Sequence, residues 1–355
     1  MTWLLLLVPV AAGLHFALPG AHTLVFLASC AAVIPLAGWL GRATDQLARH
    51  TGEGVGGLLN ATFGNAAELI LALAALRQGL YPVVKASLTG SIIGNVLLVF
   101  GAAVLAGGVK YKRQHFNVTG ARAQSTLLTL AAIALVMPAG FHALAGPAGL
   151  GREAGLSTAI ALVLLAAYAA HLVFSLVTHK QLFAGAGVEQ PHGPEWSARR
   201  AVAVMAAATL AVAWMSEILV SEVTQAAASL GMTRVFLGVV VVAVVGNAAE
   251  HSTAVLMALR NRMEIALGIA LGSSLQIALF VAPVLVLASR ALGPRPMDLV
   301  FTPAEVLAVF VAVLIAGQIA SDGESHWLEG AQLLAVYVIL GMVFFFLPES
   351  AETVR

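Results

Sequence analysis

Long apolar segments, separated by short connections of polar, glycine and proline residues, run along the whole chain. A helix that crosses a bilayer needs about 20 mostly apolar residues, and the pattern predicts eleven such helices. The candidate spans run roughly over residues 2–18, 22–41, 54–77, 83–108, 121–140, 154–178, 199–228, 234–259, 264–289, 301–320 and 327–347. The predicted fold class is therefore an all-α integral membrane protein, with residues 42–51 as a short interfacial helix.

Composition supports a protein that lives in lipid. The chain is 60% hydrophobic and 10% charged, whereas a soluble domain has about 25% charged residues. The net charge is +1 and basic residues form no long run, so nucleic acid is not an expected partner. The single Cys30 excludes an internal disulfide. The first apolar segment lacks the basic residues that open a secretory signal, and we interpret it as a spanning helix.

One pentapeptide, Gly-Asn-Ala-Ala-Glu, occurs twice, at residues 64–68 and 246–250. The same offset of 182 residues carries Gly90-Ser91 onto Gly272-Ser273 without an insertion. A match of glycine, asparagine, glutamate and serine over two consecutive spans indicates an internal duplication. Spans two to six then form one repeat, and spans seven to eleven form the other.

The repeats contain five spans each, and this odd number gives the second repeat an inverted topology. The predicted organisation is an N-terminal helix at 1–20, a first repeat at 21–179, a cytoplasmic linker at 180–198 and a second repeat at 199–355. Transporters with inverted repeats place their binding sites on broken helices between the repeats. Lysine and arginine are more frequent on one side of the predicted spans, which predicts a cytoplasmic N-terminus and an external C-terminus.

The two motif copies suggest a cation site. A carboxylate inside a span is costly and is usually functional, so Glu68 and Glu250 are the first candidates. Gly64 and Gly246 are expected to break their helices, since glycine costs about 1 kcal/mol relative to alanine. Asn65 and Asn247 would add amide oxygens on the same face, three residues before each acid. Hard oxygen donors suit Ca²⁺, Na⁺ or protons.

The span after each motif repeats the polar pattern more weakly. Asn95 and Gln276 need hydrogen-bond partners in lipid, and we expect them to line the ion path. Two serines could line it as well, or could serve helix packing. The serine candidates are Ser91 and Ser273.

Four other polar residues receive separate expectations. Glu217 is a candidate for a cation funnel or proton relay, whereas Glu305 is near a span end and is expected to face water. The roles of His251 and Glu222 are left open.

These motifs resemble a known family. Residues 58–70 resemble the first signature of the calcium/proton exchangers, a branch of the cation/calcium exchanger superfamily. Residues 246–251 are similar to its second signature, and residues 272–278 to the stretch that follows. The resemblance implies one extra N-terminal helix before two inverted five-helix repeats. It also implies exchange of cytoplasmic Ca²⁺ for H⁺, with Glu68 and Glu250 as metal-binding carboxylates that hold cation or protons alternately.

The expected setting is a prokaryotic inner membrane, with the lipid bilayer as a partner and no cofactor besides the transported ions. The family's acidic helix between the halves is barely present here, because the linker offers only Glu189 and Glu195. A Na⁺/Ca²⁺ or Na⁺(K⁺)/H⁺ antiporter of the same architecture is the nearest alternative. An ion channel lacks support because pore-lining charged rings are missing. An intramembrane enzyme lacks support because no His-Glu-x-x-His sequence is present.

Overall fold

A computed structural model gives the fold and describes residues 2–146, 149–182 and 195–348. These residues are almost entirely helical, as the sequence predicts. The helices are α1 Leu7–Ala17, α2 His22–Phe63, α3 Ala66–Arg77, α4 Tyr81–Ile93, α5 Phe100–Tyr111, α6 Val118–Ala145, α7 Glu153–Val173, α8 Ala198–Leu230, α9 Arg234–Phe236, α10 Ala243–Gly246, α11 Ala248–Leu259, α12 Met263–Gln276, α13 Ala282–Leu292, α14 Pro303–Ala320 and α15 Trp327–Phe346.

Shorter elements connect or interrupt these helices. Strands β1 (Gln114–His115) and β2 (Glu324–Ser325) pair antiparallel, with Gln114 opposite Ser325. Three-residue and five-residue 3₁₀ turns occupy Thr2–Leu6, Leu150–Arg152 and Lys180–Leu182. Four π-helical segments occupy Gly94–Val99, Phe174–Thr178, Leu237–Val242 and Ile277–Val281. Two of these π segments end at Val99 and Val281, positions that the 182-residue offset also relates.

The described ranges contain eight helices that are long and apolar enough to cross a membrane. A ninth span arises if the two helices on either side of Asn247, which meet at a bend, count as one. The predicted first span corresponds to a shorter apolar helix, Trp3–Ala17. The membrane-spanning, all-helical class is therefore confirmed, whereas the count of eleven differs from the helices that meet these criteria.

The predicted spans at 22–41 and 54–77 have different boundaries in the structure. One continuous helix, α2, covers residues 22–63, including the segment predicted as a separate interfacial helix. The close approach of two residues shows that this helix is not straight. A Cβ on Gly56 would lie 2.6 Å from the carbonyl oxygen of Ala48. In a straight helix, residues eight apart are separated by about 12 Å. Helix α2 therefore bends sharply between Ala48 and Gly56 and stays continuous where the sequence predicted a connection between two spans.

The end of the linker contacts α2 at several positions between residues 39 and 50, within the segment predicted as an interfacial helix. The indole of Trp196 is buried and stacks on Trp39, with 5.7 Å between the ring centroids. The backbone N–H of Trp196 donates to Gln46 Oε1 at 3.1 Å, and His50 Nε2 donates to the Trp196 carbonyl at 2.7 Å. The guanidinium group of Arg42 lies 5.2 Å from the centre of the indole ring.

The chain folds into two compact units, and each unit combines elements from both halves of the sequence. Among the described residues, the first contains 2–87, 195–249 and 344–348, and the second contains 88–146, 149–182 and 250–343. In the first unit, α2 packs along α8, while α3 and α1 also pack on α8. In the second unit, α6 packs on α14 and α12, and α7 packs on α13.

Candidate cation-binding site

The structure interrupts a helix within each copy of the repeated motif. Helix α2 ends at Phe63, and α3 begins at Ala66 after the pair Gly64-Asn65. In the second copy, α10 ends at Gly246, and α11 begins directly after Asn247. The two asparagines adopt closely similar backbone angles, φ −101° and ψ 29° for the first, and φ −93° and ψ 6° for the second. The repeated sequence therefore gives a repeated local structure.

The break places each motif carboxylate in the first turn of a helix. Glu68 lies in the first turn of α3, and Glu250 lies in the first turn of α11. The N-terminal end of a helix carries a partial positive charge, which favours a carboxylate there. The same end leaves backbone groups without partners inside the helix. At the C-terminal end of the preceding helix α10, Asn247 Nδ2 donates to the Ala243 carbonyl at 2.9 Å.

The candidate residues of the motifs are largely buried. Only 7% of Glu68 is exposed, and Asn65 and Asn247 are more deeply buried. Glu250 is half-buried. Its Oε2 is shielded from solvent and has no hydrogen-bond partner among the residues that the structure describes. A buried carboxylate oxygen of this kind needs a proton or a cation, because an unpaired charge is costly in a low-dielectric interior.

Gly246 of the second motif lies against Glu68 of the first motif. A Cβ built on Gly246 would be 3.2 Å from Glu68 Cγ and 3.4 Å from Glu68 Oε1. Both residues belong to the first unit. The glycine therefore does more than weaken a helix, since its missing side chain leaves room for the carboxylate.

Two of the predicted path residues meet in the second unit. Asn95 Nδ2 donates to Ser273 Oγ at 2.9 Å, and both side chains are buried. Ser273 is also within hydrogen-bonding reach of the Glu250 carboxyl group. Because the serine oxygen accepts from Asn95, its own O–H is available to donate to Glu250. This chain orients the Glu250 side chain through groups from two other helices.

The remaining candidates occupy different surroundings. Ser91 is buried in α4, and Gln276 is half-buried at the end of α12. Glu217 is on α8 and lies beside the C-terminal end of α3, whereas Glu68 is at the N-terminal end of α3. The Glu217 carboxylate accepts from Arg77 at 3.1 Å and from Gln78 at 3.3 Å. His251 follows Glu250 and is half-buried.

Glu222 has two histidine partners. His15 Nδ1 lies 3.2 Å from its Oε1, and His22 Nδ1 lies 2.6 Å from its Oε2. The carboxylate therefore joins α1, α2 and α8. The sequence singled out the acid but not the histidines.

The expectation that Glu305 faces water is wrong, since only 2% of this residue is exposed. Its Oε2 accepts from the Thr302 backbone N–H at 2.9 Å, and the Thr302 side chain accepts from the Glu305 N–H at 3.3 Å. This reciprocal arrangement is a capping box at the start of α14. Its Thr-x-x-Glu spacing is a signal present in the sequence. The approach of Thr89 Oγ1 to Glu305 Oε1, at 3.5 Å, depends on tertiary packing.

Within the described ranges, no three or more His, Cys, Asp or Glu side chains come close enough to hold a metal ion. A cation at the motifs would therefore depend on amide, hydroxyl and backbone oxygens as well as carboxylates. Such a mixed, all-oxygen set is typical of Ca²⁺ and Na⁺ sites and unlike zinc or copper sites.

Broken spans with a carboxylate at each helix start, in a duplicated membrane protein, define a secondary transporter for ions. Comparison with known proteins agrees. The sequence model of the family described as sodium/calcium exchanger protein matches residues 21–177 and 200–346. The chain belongs to this family.

Individual relatives and solved structures agree with this assignment. A protein of Aphanothece halophytica named Ca(2+)/H(+) antiporter is 45% identical over 365 residues, covering 98% of this chain and 97% of the relative. The Bacillus subtilis Ca(2+)/H(+) antiporter ChaA is 47% identical over 347 residues, covering 95% and 98%. The structure of native YfkE superposes with a TM-score of 0.82 at 44% identity, over 96% of this chain and 97% of that one.

A more distant structure shares the fold alone. The H⁺/Ca²⁺ exchanger CAX has a TM-score of 0.69 at 16% identity, over 97% of this chain and 90% of that one.

Proposed function

We propose that this protein exchanges cytoplasmic Ca²⁺ for protons by alternating access, with Glu68 and Glu250 binding the cation or the protons in turn. The observation that carries the proposal is a carboxylate in the first turn of a helix at each motif copy, buried at Glu68 and with one shielded oxygen at Glu250. Relatives at 45–47% identity that are named Ca(2+)/H(+) antiporters support the choice of ions. Both motif asparagines would contribute oxygens, and the chain Asn95–Ser273 would hold Glu250 in place.

Charge balance explains why transport would be an exchange. Two ionised carboxylates carry a charge of −2, which either one Ca²⁺ or two protons neutralise. An empty, doubly ionised site would be disfavoured by desolvation and by repulsion between like charges. The loaded forms would therefore change access between the two sides of the membrane, whereas the empty form would not.

A Na⁺-coupled antiporter is the alternative, because the same oxygen donors can bind Na⁺. Solved sodium–calcium exchangers share this fold at 17% identity, with a TM-score of 0.53. Na⁺ could replace H⁺ as the coupling ion without a change in donor type. The proposed setting is a prokaryotic inner membrane, with the N-terminus in the cytoplasm and the two five-helix repeats in opposite orientation.

The test is Ca²⁺ transport by the purified protein in proteoliposomes. A proton gradient should drive ⁴⁵Ca²⁺ accumulation, and Glu68→Gln and Glu250→Gln should each lower the rate by about two orders of magnitude. The matched control is Asp322→Asn, which removes an exposed carboxylate and should leave the rate unchanged. Near-normal exchange in either glutamine variant would contradict the assigned sites. Accumulation driven by a Na⁺ gradient, and not by a proton gradient, would favour the alternative.

A further inference from the structure

Helix α11, which carries Glu250 at its start, has a defined C-terminal end. Asn261 adopts a positive φ of 58°, a conformation that asparagine tolerates better than other residues with side chains. The Arg262 N–H donates to the Met257 carbonyl at 2.9 Å, and the Asn261 N–H donates to the Ala258 carbonyl at 3.0 Å. This pair of bonds is a Schellman motif, which stops the helix.

Three side chains from another part of the chain bind the same helix end. Lys110 Nζ donates to the Leu259 carbonyl at 2.9 Å, and the Tyr111 hydroxyl donates to the same oxygen at 3.0 Å. Gln114 Nε2 donates to the Ala258 carbonyl at 2.8 Å and to Asn261 Oδ1 at 3.0 Å. Carbonyls at the C-terminal end of a helix carry partial negative charge, so the Lys110 ammonium group is favourable there. We call Lys110, Tyr111 and Gln114 the α11 clamp.

The clamp is held by packing within the second unit. Gln114 lies in β1, pairs with Ser325 of β2 and is only 1% exposed. Its side chain runs directly over Gly107 of α5, where a Cβ would overlap the Gln114 amide group. The missing side chain at Gly107 therefore lets the Gln114 amide reach the end of α11.

We propose that the α11 clamp positions Glu250 for ion binding, an inference that rests on the proposed exchange function. Helix α11 is broken from the preceding helix at Asn247, so the helix before the break does not fix its direction. An unbroken helix transmits position along its axis, and about 14 Å separates residue 250 from residue 259. Anchoring the far end therefore sets where the carboxylate stands relative to Ser273. The three clamp residues are positioning residues, since they act on the ion through α11.

The duplication offers an internal comparison. The 182-residue offset relates the clamp positions to Leu292, Gly293 and Pro296, none of which has a side-chain donor. At the end of α3, the corresponding half-helix, the side-chain ion pair is Arg77 with Glu217. The clamp is thus specific to the half-helix that carries Glu250, whereas a general need of the repeated fold would be expected to appear in both copies.

The experiment measures proton-driven ⁴⁵Ca²⁺ uptake by purified variants in proteoliposomes, together with ⁴⁵Ca²⁺ binding in detergent. Lys110→Met and Tyr111→Phe each leave one donor on the Leu259 carbonyl, so each should raise the KM for Ca²⁺ by less than about threefold. The double variant leaves that carbonyl with neither donor and should raise the KM by about tenfold, more than the product of the single effects. Gln114→Leu should also raise the KM, with a smaller effect on the maximal rate.

Lys112→Met is the matched control, because it removes an exposed cation from the same connection and should leave the KM unchanged. A double variant that keeps the normal KM and Ca²⁺ affinity would overturn the proposal. So would a variant whose activity falls only in proportion to the amount of folded protein, since that result indicates a merely structural role. The Lys110 and Tyr111 variants change less buried side chains than Gln114 does. They still test the proposal if Gln114→Leu fails to fold. If the unmodified protein shows no exchange, the proposed function fails; the Ca²⁺-binding measurement still tests the clamp.

Discussion

Asn95 and Ser273, which come from different halves of the sequence, are joined by a 2.9 Å hydrogen bond from Asn95 Nδ2 to Ser273 Oγ. A neighbouring contact joins positions that the repeat relates directly. Ser274 Oγ donates to the Ala270 carbonyl of its own helix at 2.9 Å and also lies 3.4 Å from the carbonyl oxygen of Ile92, which is 182 positions away. Contacts between equivalent positions are expected along a two-fold axis. The third spans of the two repeats, predicted at 83–108 and 264–289, therefore meet beside Glu250.

The Asn95–Ser273 bond should matter for cation affinity. Ser273→Ala removes the hydroxyl that links Asn95 to the Glu250 carboxyl group, and a hydrogen bond to a charged group contributes about 1.5–3 kcal/mol. We expect the KM for Ca²⁺ in proton-driven exchange to rise by about tenfold, which corresponds to about 1.4 kcal/mol. Ser229→Ala, at an exposed serine of α8, should leave the KM unchanged. An unaltered KM in Ser273→Ala would show that this chain does not orient the carboxylate.

Gly246 should tolerate no side chain without loss of exchange. In Gly246→Ala the new Cβ would lie 3.2 Å from Glu68 Cγ, so the glutamate must shift by a few tenths of an ångström. We expect an exchange rate lower by about tenfold, because small displacements of a binding carboxylate weaken ion binding. The rate at saturating Ca²⁺ and the KM measure this effect.

Gly268→Ala is the matched control for Gly246→Ala. Gly268 is inside α12, and a Cβ there meets nothing within 4 Å. Alanine should therefore leave exchange intact and raise thermal stability slightly, by up to about 1 kcal/mol from helix propensity. Equal losses in both variants would assign the effect to helix backbone and not to the contact with Glu68.

Glu222 should contribute to stability by tying the N-terminal helix to α2 and α8. Glu222→Gln removes the charge that both His15 and His22 contact, and we expect the Tm to fall by about 2–5 °C. The comparison variant is Glu217→Gln, which removes the same charge from the same helix. The ion pair of Glu217 with Arg77 is largely exposed, so its loss should change the Tm much less. A thermal-shift assay in detergent measures both, and an equal change in the two variants would contradict the prediction.

The proposed orientation can be tested with cysteine labelling. In a Cys30→Ala background, Lys112→Cys should be labelled by an impermeant maleimide only from the cytoplasmic side. Pro294→Cys, in the exposed connection between α13 and α14, should be labelled only from outside. Intact cells and inverted vesicles provide the two sides. The reversed pattern would invert the topology predicted from the distribution of lysine and arginine.

The residues at the breaks illustrate how far local sequence information reaches. The pairs Gly64-Asn65 and Gly246-Asn247 were predicted to interrupt helices because glycine is a poor interior helix residue, and the structure interrupts helices there. The boundary between the second and third predicted spans was less well defined. Glycine lowers helix stability in both a bend and a break, so the sequence pattern does not distinguish these outcomes near Gly56.

Partners that are far apart in sequence could not be predicted. Tyr111 and the Leu259 carbonyl that it binds are separated by 148 residues, and Glu222 is separated from His15 by 207. Glu305 was expected in water because hydropathy reports the distance to a span end and does not report which helix covers that end. Its burial follows from the packing of α14 in the second unit.

The sequence by itself determined the membrane-spanning helical class, the duplication, the two motif acids and the family resemblance that comparison then confirmed. These properties depend on composition and on periodic or repeated local patterns, which are readable along a single chain. The tertiary structure alone decided which side chains meet: Asn95 with Ser273, Gly246 with Glu68, and the α11 clamp with the end of its helix. A hydrogen bond needs two atoms about 3 Å apart, and only the packing of helices from distant parts of the chain sets that distance.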